Sequence, residues 1–186
     1  TSMGSKLSPV LANIYCFLME KSVIQKHLDN SNIVAYTRYV DDCWLVYKND
    51  KKEEILNEIN NFDKGYLHFT IEPMVNNELP FLDTLIYEDL DQKLQIRKYR
   101  KPTNSDVICN FKNAVTPKKY KMSVLVGEIF RCYYTTSTEE NLENALKELE
   151  IQFIRNEYPK SVIKEKISEI KARHFQSRNN KLEYEY

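Results

Sequence analysis

Residues 34–47 read Val-Ala-Tyr-Thr-Arg-Tyr-Val-Asp-Asp-Cys-Trp-Leu-Val-Tyr, which is two runs of β-branched and aromatic residues around a pair of aspartates. Such runs are typical of strands. Because only Asp41, Asp42 and at most Val40 separate them, the pattern predicts a tight hairpin. Its turn would hold two carboxylates at a rim, and Mg²⁺ prefers such hard oxygen ligands. Taken alone the turn is weak evidence, because aspartate is also a common turn residue.

A glycine-led helix start precedes the hairpin. Gly4 is one of only three glycines among 186 residues. Ser8 followed by Pro9 is a good start for a helix, which we expect to run to about Leu28. Glycine permits close approach of the backbone, and a helix N-terminus favours phosphate. Alone this segment is weak evidence, because a loop before any helix looks similar, but together with the aspartate turn about thirty residues later it exceeds a chance match.

The order of the remaining segments predicts an α+β fold. Asp50 with Glu53 forms a capping-box pattern before a second helix. Strands are predicted at residues 68–72, 81–88 and 94–99, and only helices follow, beginning near Thr116-Pro117, Ser137 and Pro159, the last one ending near Lys171. We therefore predict antiparallel hairpins packed on helices over residues 1–110, an all-helical region over 111–172, and a polar, mobile tail over 173–186.

The composition leaves several function classes open and argues against others. Lysine plus arginine balances aspartate plus glutamate at 27 each, so net charge gives no sign of a nucleic-acid partner, although a groove needs only local positive charge. The four cysteines are widely spaced, which indicates reduced thiols in an intracellular protein. The histidines lack zinc-site spacing, and no apolar run is long enough for a membrane span.

Two segments together carry a resemblance to a known family. Gly4-Ser5-Lys6-Leu7-Ser8-Pro9 with Asn13 resembles the reverse transcriptase motif Gly-Ser-Pro-Leu-Ser-Pro, and Arg38-Tyr39-Val40-Asp41-Asp42 resembles the catalytic hairpin of that family. Three later segments are most similar to the Penelope-like retroelement enzymes, in their order: residues 79–83, 99–103 and 156–159. The resemblance implies a partial reverse transcriptase palm followed by a helical thumb, in a retrotransposon protein.

The resemblance also implies residue roles. Asp41 would be the main ligand of two Mg²⁺ ions in nucleotidyl transfer to a primer 3′-hydroxyl, and Asp42 would be a second ligand or would support Asp41 from outside the coordination shell. Tyr39 would lie by the primer terminus. The residues expected to border the incoming nucleotide and template are Gly4, Ser5, Ser8, Pro9 and Asn13. The primer grip would be Leu79, Pro80, Phe81 and Leu82. The implied partners are an RNA template, a DNA primer and deoxynucleoside triphosphates, with no membrane, and nuclear residence follows only from the family.

The chain departs from the family pattern in two places. Lys6 stands where the family usually has proline. The family also uses a third aspartate on a strand upstream of the first motif, and Asp83 comes too late in the chain to replace it. We therefore expect the 186-residue piece not to polymerise unaided. Lys64 is a weak candidate for the acid that protonates pyrophosphate, and an exposed, solvated lysine is the better explanation of it.

Basic and aromatic residues interleave in two stretches, which is typical of surfaces that hold phosphates and stack on bases. The candidate backbone contacts are Arg97, Lys98, Arg100, Lys101, Lys118 and Lys119. The alternative is a solvated strand face and helix start.

Three hypotheses thus remain open from the sequence. The first is a fragment of an RNA-directed DNA polymerase. The second is a non-catalytic nucleic-acid-binding remnant of a retroelement polymerase. Lys6 and the absence of the third aspartate favour this hypothesis. The third is an α+β domain that binds protein partners, which predicts no salt-sensitive binding of nucleic acid.

Overall fold

The computed structural model describes residues 6–182, and the side chains of all of these except residues 64, 65 and 174–182. The fold is mixed α and β with two small antiparallel sheets, which confirms the predicted class at that level. The chain divides into two compact units, residues 1–73 and residues 74–186. Each unit is described by itself below.

The first unit combines a long helical segment, one hairpin and a shorter helix. Its elements are α1 (Ser8–Met19), a π-helical turn (Glu20–Ile24), α2 (Gln25–Asp29), β1 (Ile33–Tyr39), β2 (Asp42–Tyr47), a 3₁₀ turn (Asn49–Lys51), α3 (Lys52–Asn60) and a second 3₁₀ turn (Phe62–Gly65). Apolar side chains at the end of α1, in the π-helical turn and on one face of α3 pack with Ile33 of β1. The core consists of Met19, Val23, Ile24, Ile33, Ile55 and Ile59.

The predicted hairpin is present, but its loop differs from the one expected. β1 and β2 pair antiparallel, and Tyr39 faces Asp42 at the end of the ladder. The loop therefore consists of Val40 and Asp41, and Asp42 belongs to β2. A register shift between Ile33 and Ala35 marks a bulge at the other end.

The second unit packs a three-stranded sheet with three helices. The strands are β3 (Glu78–Phe81), β4 (Thr84–Glu88) and β5 (Leu94–Lys98), and the helices are α4 (Lys118–Tyr134), α5 (Glu139–Arg155) and α6 (Lys160–Leu182). The core contains Leu125, Ile129, Cys132, Ala145, Leu149, Phe153, Tyr158, Ile163 and Ile170. Sheet and helices are joined directly, because Ser137 and Ile96 exchange backbone and side-chain hydrogen bonds of 2.9–3.0 Å.

Several local predictions are wrong for identifiable reasons. Residues 68–72 form no strand, because the Asn60 side chain bonds both the N–H and the carbonyl of Phe69, at 2.6 and 3.1 Å, and holds the segment as a loop. The capping box at Asp50 is absent, since α3 begins after Lys51 without a side-chain cap. The cap of α5 is Thr138, whose hydroxyl accepts from Asn141, whereas Ser137 is committed to β5.

The boundaries also differ from those expected. The division after residue 73 places β3–β5 with the helices, whereas the sequence suggested a break near residue 110. α6 continues to Leu182, past the predicted end near Lys171. Among the described residues, no helix combines the length and apolar character needed to cross a membrane.

Candidate functional site

The turn of the first hairpin has an unusual backbone. Val40 adopts φ 56°, in the left-handed region, which is a genuine outlier for a β-branched residue. Such strain costs on the order of 1–3 kcal/mol and concentrates at functional sites. Its consequence is that Asp41 and Asp42 project at the exposed end of a two-stranded ribbon, with Val40 itself 65% exposed.

The side chain of Arg38 holds this turn through hydrogen bonds. Its Nη1 donates to the carbonyl oxygen of Val40 at 2.9 Å and to Oδ1 of Asn13 at 3.2 Å. Its Nε donates to Oε1 of Glu20 at 2.5 Å. One guanidinium thus connects the aspartate turn to α1 and to the turn of π-helix that follows it.

On the helical side, the carboxylate of Glu20 accepts hydrogen bonds from two side chains of β1. Glu20 begins the π-helical turn, a feature often found at functional sites. Besides Arg38 it accepts a hydrogen bond of 2.8 Å from the hydroxyl of Tyr36. The hydrogen bond to Glu20 raises the pKa of Arg38, and burial, with Cys43 and Glu20 as neighbours, raises the pKa of Tyr36. Arg38 therefore stays charged and Tyr36 neutral at physiological pH.

The residues predicted to border a nucleotide are only partly described. Gly4 and Ser5 lie outside the described residues. Ser8 and Pro9 lie in the first turn of α1, and Leu7 occupies the N-cap position of this helix. Asn13 lies on the side of α1 that Arg38 contacts. Tyr39 is exposed at the end of β1.

The two carboxylates are available for a ligand. Among the described side chains, no hydrogen bond or ion pair engages those of Asp41 or Asp42. Two exposed carboxylates on a rigid turn fit Mg²⁺ in kind, because this ion prefers oxygen ligands and retains several waters. Within the described part of the chain, no third histidine, cysteine or carboxylate joins them in a cluster.

The predicted primer-grip residues form the first hairpin of the second unit. Phe81 pairs with Thr84 across a turn of Leu82 and Asp83, and Leu82 adopts φ 53°. The hydroxyl of Thr84 donates to the Phe81 carbonyl at 2.8 Å and closes the turn. Leu79 and Pro80 are strand residues of β3.

The predicted phosphate-contacting residues fall into two groups. The Lys98 side chain is only 8% exposed and pairs with Glu128 at 3.1 Å. Arg100 is bound to Asp106 at 2.5 Å and to the side-chain oxygen of Gln152. Both cations are engaged by neighbouring side chains, so we expect them to contribute to packing more than to phosphate contacts.

The remaining cations of these stretches face solvent. Arg97 is exposed, pairs with Glu78 at 2.5 Å and lies over the ring of Tyr87. Lys101, Lys118 and Lys119 are exposed. Lys121, in the second stretch, is buried instead and donates to the carbonyls of Phe111 and Ala114 at 2.6 and 2.7 Å.

Sequence reasoning missed features of both units. In the second unit, an open pocket of about 430 Å³ lies beside the Tyr99–Lys101 segment, between Leu82 and Gln152. Its walls come from distant segments, which no sequence pattern brings together, although they include Lys98, Arg100 and Lys101 of the basic stretch. In the first unit, no sequence pattern indicated that Glu20 binds Arg38. Arg38 itself was part of the quoted hairpin motif, but the sequence predicted no contact for it.

Comparison with known proteins gave no relative: no family model, curated protein or solved structure matches this chain.

Proposed function

We propose that this chain is the C-terminal palm and thumb part of an RNA-directed DNA polymerase of the reverse transcriptase type. The observation that carries the proposal is the turn of Val40, Asp41 and Asp42. Its backbone is strained, its carboxylates are exposed, and Arg38 ties it to Asn13 of the helix that follows the glycine-led motif. Two motifs that resemble those of one family therefore meet through one side chain.

In this proposal Asp41 and Asp42 hold metal, and Mg²⁺ when bound neutralises charge on the attacking and leaving oxygens of phosphoryl transfer. The protein contributes a fixed position for the carboxylates. Arg38 holds the turn through the Val40 carbonyl, so the two side chains need little reorganisation when a nucleotide arrives. The resemblance implies a third carboxylate in addition to these two.

The lysines that remain exposed, Lys101, Lys118 and Lys119, would hold the backbone of an RNA–DNA duplex. Their contribution is electrostatic and independent of base sequence, so it should weaken steeply with salt. Arg97 can share this role if its surface pair with Glu78 opens, because exposed pairs contribute only ~0–1 kcal/mol.

The test is primer extension on an RNA template, with the chain joined to the reading frame that precedes Thr1. Extension that needs Mg²⁺ and deoxynucleotides supports the polymerase. Salt-sensitive binding of an RNA–DNA hybrid without extension supports the non-catalytic remnant instead. Absence of any salt-sensitive binding favours a domain for protein partners and overturns both nucleic-acid hypotheses.

A further inference from the structure

A second group of potential metal ligands lies in the first unit, apart from the aspartate turn in sequence. His27 of α2 and Glu54 and Glu58 of α3 each offer one ligand atom, and these atoms lie within 4.8 Å of one another. Glu54 and Glu58 are four residues apart in one helix, so their side chains share a face. The group therefore spans two helices of the first unit.

The histidine in this group is buried and incompletely satisfied. His27 is 0% exposed, and its Nε2 has no hydrogen-bond partner among the described residues. Nε2 lies 3.3 Å from Oε2 of Glu58, which is close enough for an ion pair but lacks the alignment of a hydrogen bond. A buried polar atom without a partner costs ~1–3 kcal/mol. This atom therefore points to a ligand between the imidazole and the carboxylates.

The other ring nitrogen can set the tautomer that metal binding requires. Nδ1 of His27 lies 3.2 Å from the side-chain amide of Asn32. The two orientations of an asparagine amide differ only in the exchange of oxygen and nitrogen. With the oxygen toward the ring, Asn32 accepts the Nδ1 proton and leaves the Nε2 lone pair facing the glutamates. Ligating histidines usually have such a partner on the second nitrogen.

We propose that His27, Glu54 and Glu58 form a binding site for a divalent transition-metal ion of the zinc class, with water in the remaining position. One imidazole nitrogen and two carboxylate oxygens suit Zn²⁺. Mg²⁺ is disfavoured, because it prefers an all-oxygen environment. The bound ion would link α2 to α3 and stabilise the first unit.

Two lysines pair with the glutamates of this site. Nζ of Lys26 lies 2.9 and 2.8 Å from the two oxygens of Glu58, and Nζ of Lys51 lies 2.8 Å from Oε2 of Glu54. Exposed pairs of this kind contribute only ~0–1 kcal/mol, so a metal ion can displace them. The competing interpretation is that the cluster is a network of surface ion pairs that takes no metal.

The experiment titrates the whole chain with Co²⁺, whose visible absorption reports its ligands, and then with Zn²⁺ as competitor. We expect a Co²⁺ spectrum without thiolate charge transfer that Zn²⁺ abolishes. Glu54→Gln should weaken binding at least tenfold. Glu53→Gln, an exposed neighbour on the same helix with the same change of charge, is the control and should leave binding unchanged. Lys51→Gln should tighten it.

Thermal unfolding supplies the second measurement. Zn²⁺ should raise the Tm of the wild-type chain and of Glu53→Gln, but not that of Glu54→Gln, because a ligand that binds only the folded state stabilises it. Circular dichroism checks that the exposed glutamate variants are folded, so the test does not depend on replacing His27. Absence of a Co²⁺ spectrum, or equal weakening by Glu53→Gln and Glu54→Gln, overturns the site. Neither outcome bears on the polymerase proposal.

Discussion

Nη1 of Arg38 donates a hydrogen bond of 2.9 Å to the carbonyl oxygen of Val40, two residues further along the chain. The same nitrogen reaches Asn13 of α1, and Nε reaches Glu20. The strained turn is thus held from the helix side by one planar, permanently charged group. The first prediction concerns the replacement of this guanidinium by another charged group.

Arg38→Lys keeps the charge but removes the fork of donors, because lysine is a point charge on a flexible stem. We expect the first unit to lose about 2 kcal/mol of its free energy of unfolding, the range for hydrogen bonds to charged groups. Urea unfolding followed by Trp44 fluorescence measures this, since Trp44 in β2 is the only tryptophan. Arg97→Lys, at an exposed position of β5 in the second unit, is the control for the exchange itself and should change little.

A double-mutant cycle with Glu20→Gln isolates the pair itself. Since both side chains are largely buried, we expect an interaction energy of at least ~1 kcal/mol between Arg38 and Glu20. An interaction energy near zero would show that the contact between Arg38 and Glu20 does not stabilise the first unit.

The second prediction concerns the left-handed φ of Val40. Val40→Gly removes the steric strain, so we expect the first unit to be unchanged or stabilised by up to about 1 kcal/mol, after the entropy of glycine is included. Thr37→Gly, at an exposed position of β1 that pairs regularly with Trp44, should instead cost about 1 kcal/mol, because strand residues favour β-branched side chains. Equal destabilisation of both variants, measured by urea unfolding, would show that Val40 is unstrained.

The third prediction is a pH dependence at the turn between β4 and β5. Hydrogen bonds from the Gln95 side chain and from the backbone N–H groups of Lys93 and Asp91 lower the pKa of Asp89. A depressed pKa contributes stability that is present above the unfolded-state value of about 3.9. This stability is lost as pH falls through the folded-state pKa.

Asp89→Asn should therefore remove part of the acid sensitivity of the second unit. The measurement is the difference between the free energies of unfolding of the wild type and the variant. It is followed from about pH 2 to pH 6, a range that includes the reference pKa of aspartate. Asp91→Asn removes a charge from the same turn without touching those hydrogen bonds, and it serves as the control for net charge. A difference curve for Asp89→Asn that is flat with pH contradicts the assignment.

The fourth prediction separates surface cations from internal ones. Lys118→Gln with Lys119→Gln should lower the affinity for an RNA–DNA hybrid and reduce the salt slope by about 0.7–0.9 for each phosphate that is no longer neutralised. Lys147→Gln with Lys164→Gln, exposed lysines of α5 and α6, is the matched control. If both pairs reduce the slope equally, binding is unspecific attraction and not a defined groove.

Lys98→Gln should behave differently from those surface variants. Its replacement removes the largely buried partner of Glu128, which keeps only its pair with Arg131, so we expect destabilisation of about 2 kcal/mol with the salt slope unchanged once the protein is folded. A reduced slope in a stable Lys98→Gln protein would restore this lysine to the phosphate-contacting group.

Much of the fold could be predicted where the local pattern and the tertiary structure agree. The apolar runs around Asp41 predict the hairpin, and the apolar stripes of α4 and α5 predict helices, because burial of one face decides both. The strand predicted at residues 68–72 failed because the side chain of Asn60, from the end of α3, satisfies the backbone of Phe69. Hydrogen bonds of that kind leave no periodic signal.

The candidate site was predictable in its ligands but not in its supports. Carboxylates in a turn are visible in a sequence, whereas a left-handed Val40 is not, since β-branching argues against it. Lysines look alike in a sequence, and only the packing shows that Lys98 and Lys121 are internal. The orphaned Nε2 of His27 depends on helices α2 and α3 meeting, which spacing alone does not indicate.

The most direct test of the central claim is primer extension on RNA by Asp41→Asn in the chain joined to its preceding reading frame. We predict a loss of activity larger than the ~10–100-fold that outer-shell partners of a metal cost. Asp91→Asn, an exposed aspartate in another turn, should retain full activity. Full activity in Asp41→Asn would contradict the assignment of the Asp41-Asp42 turn as the metal-binding centre of a polymerase.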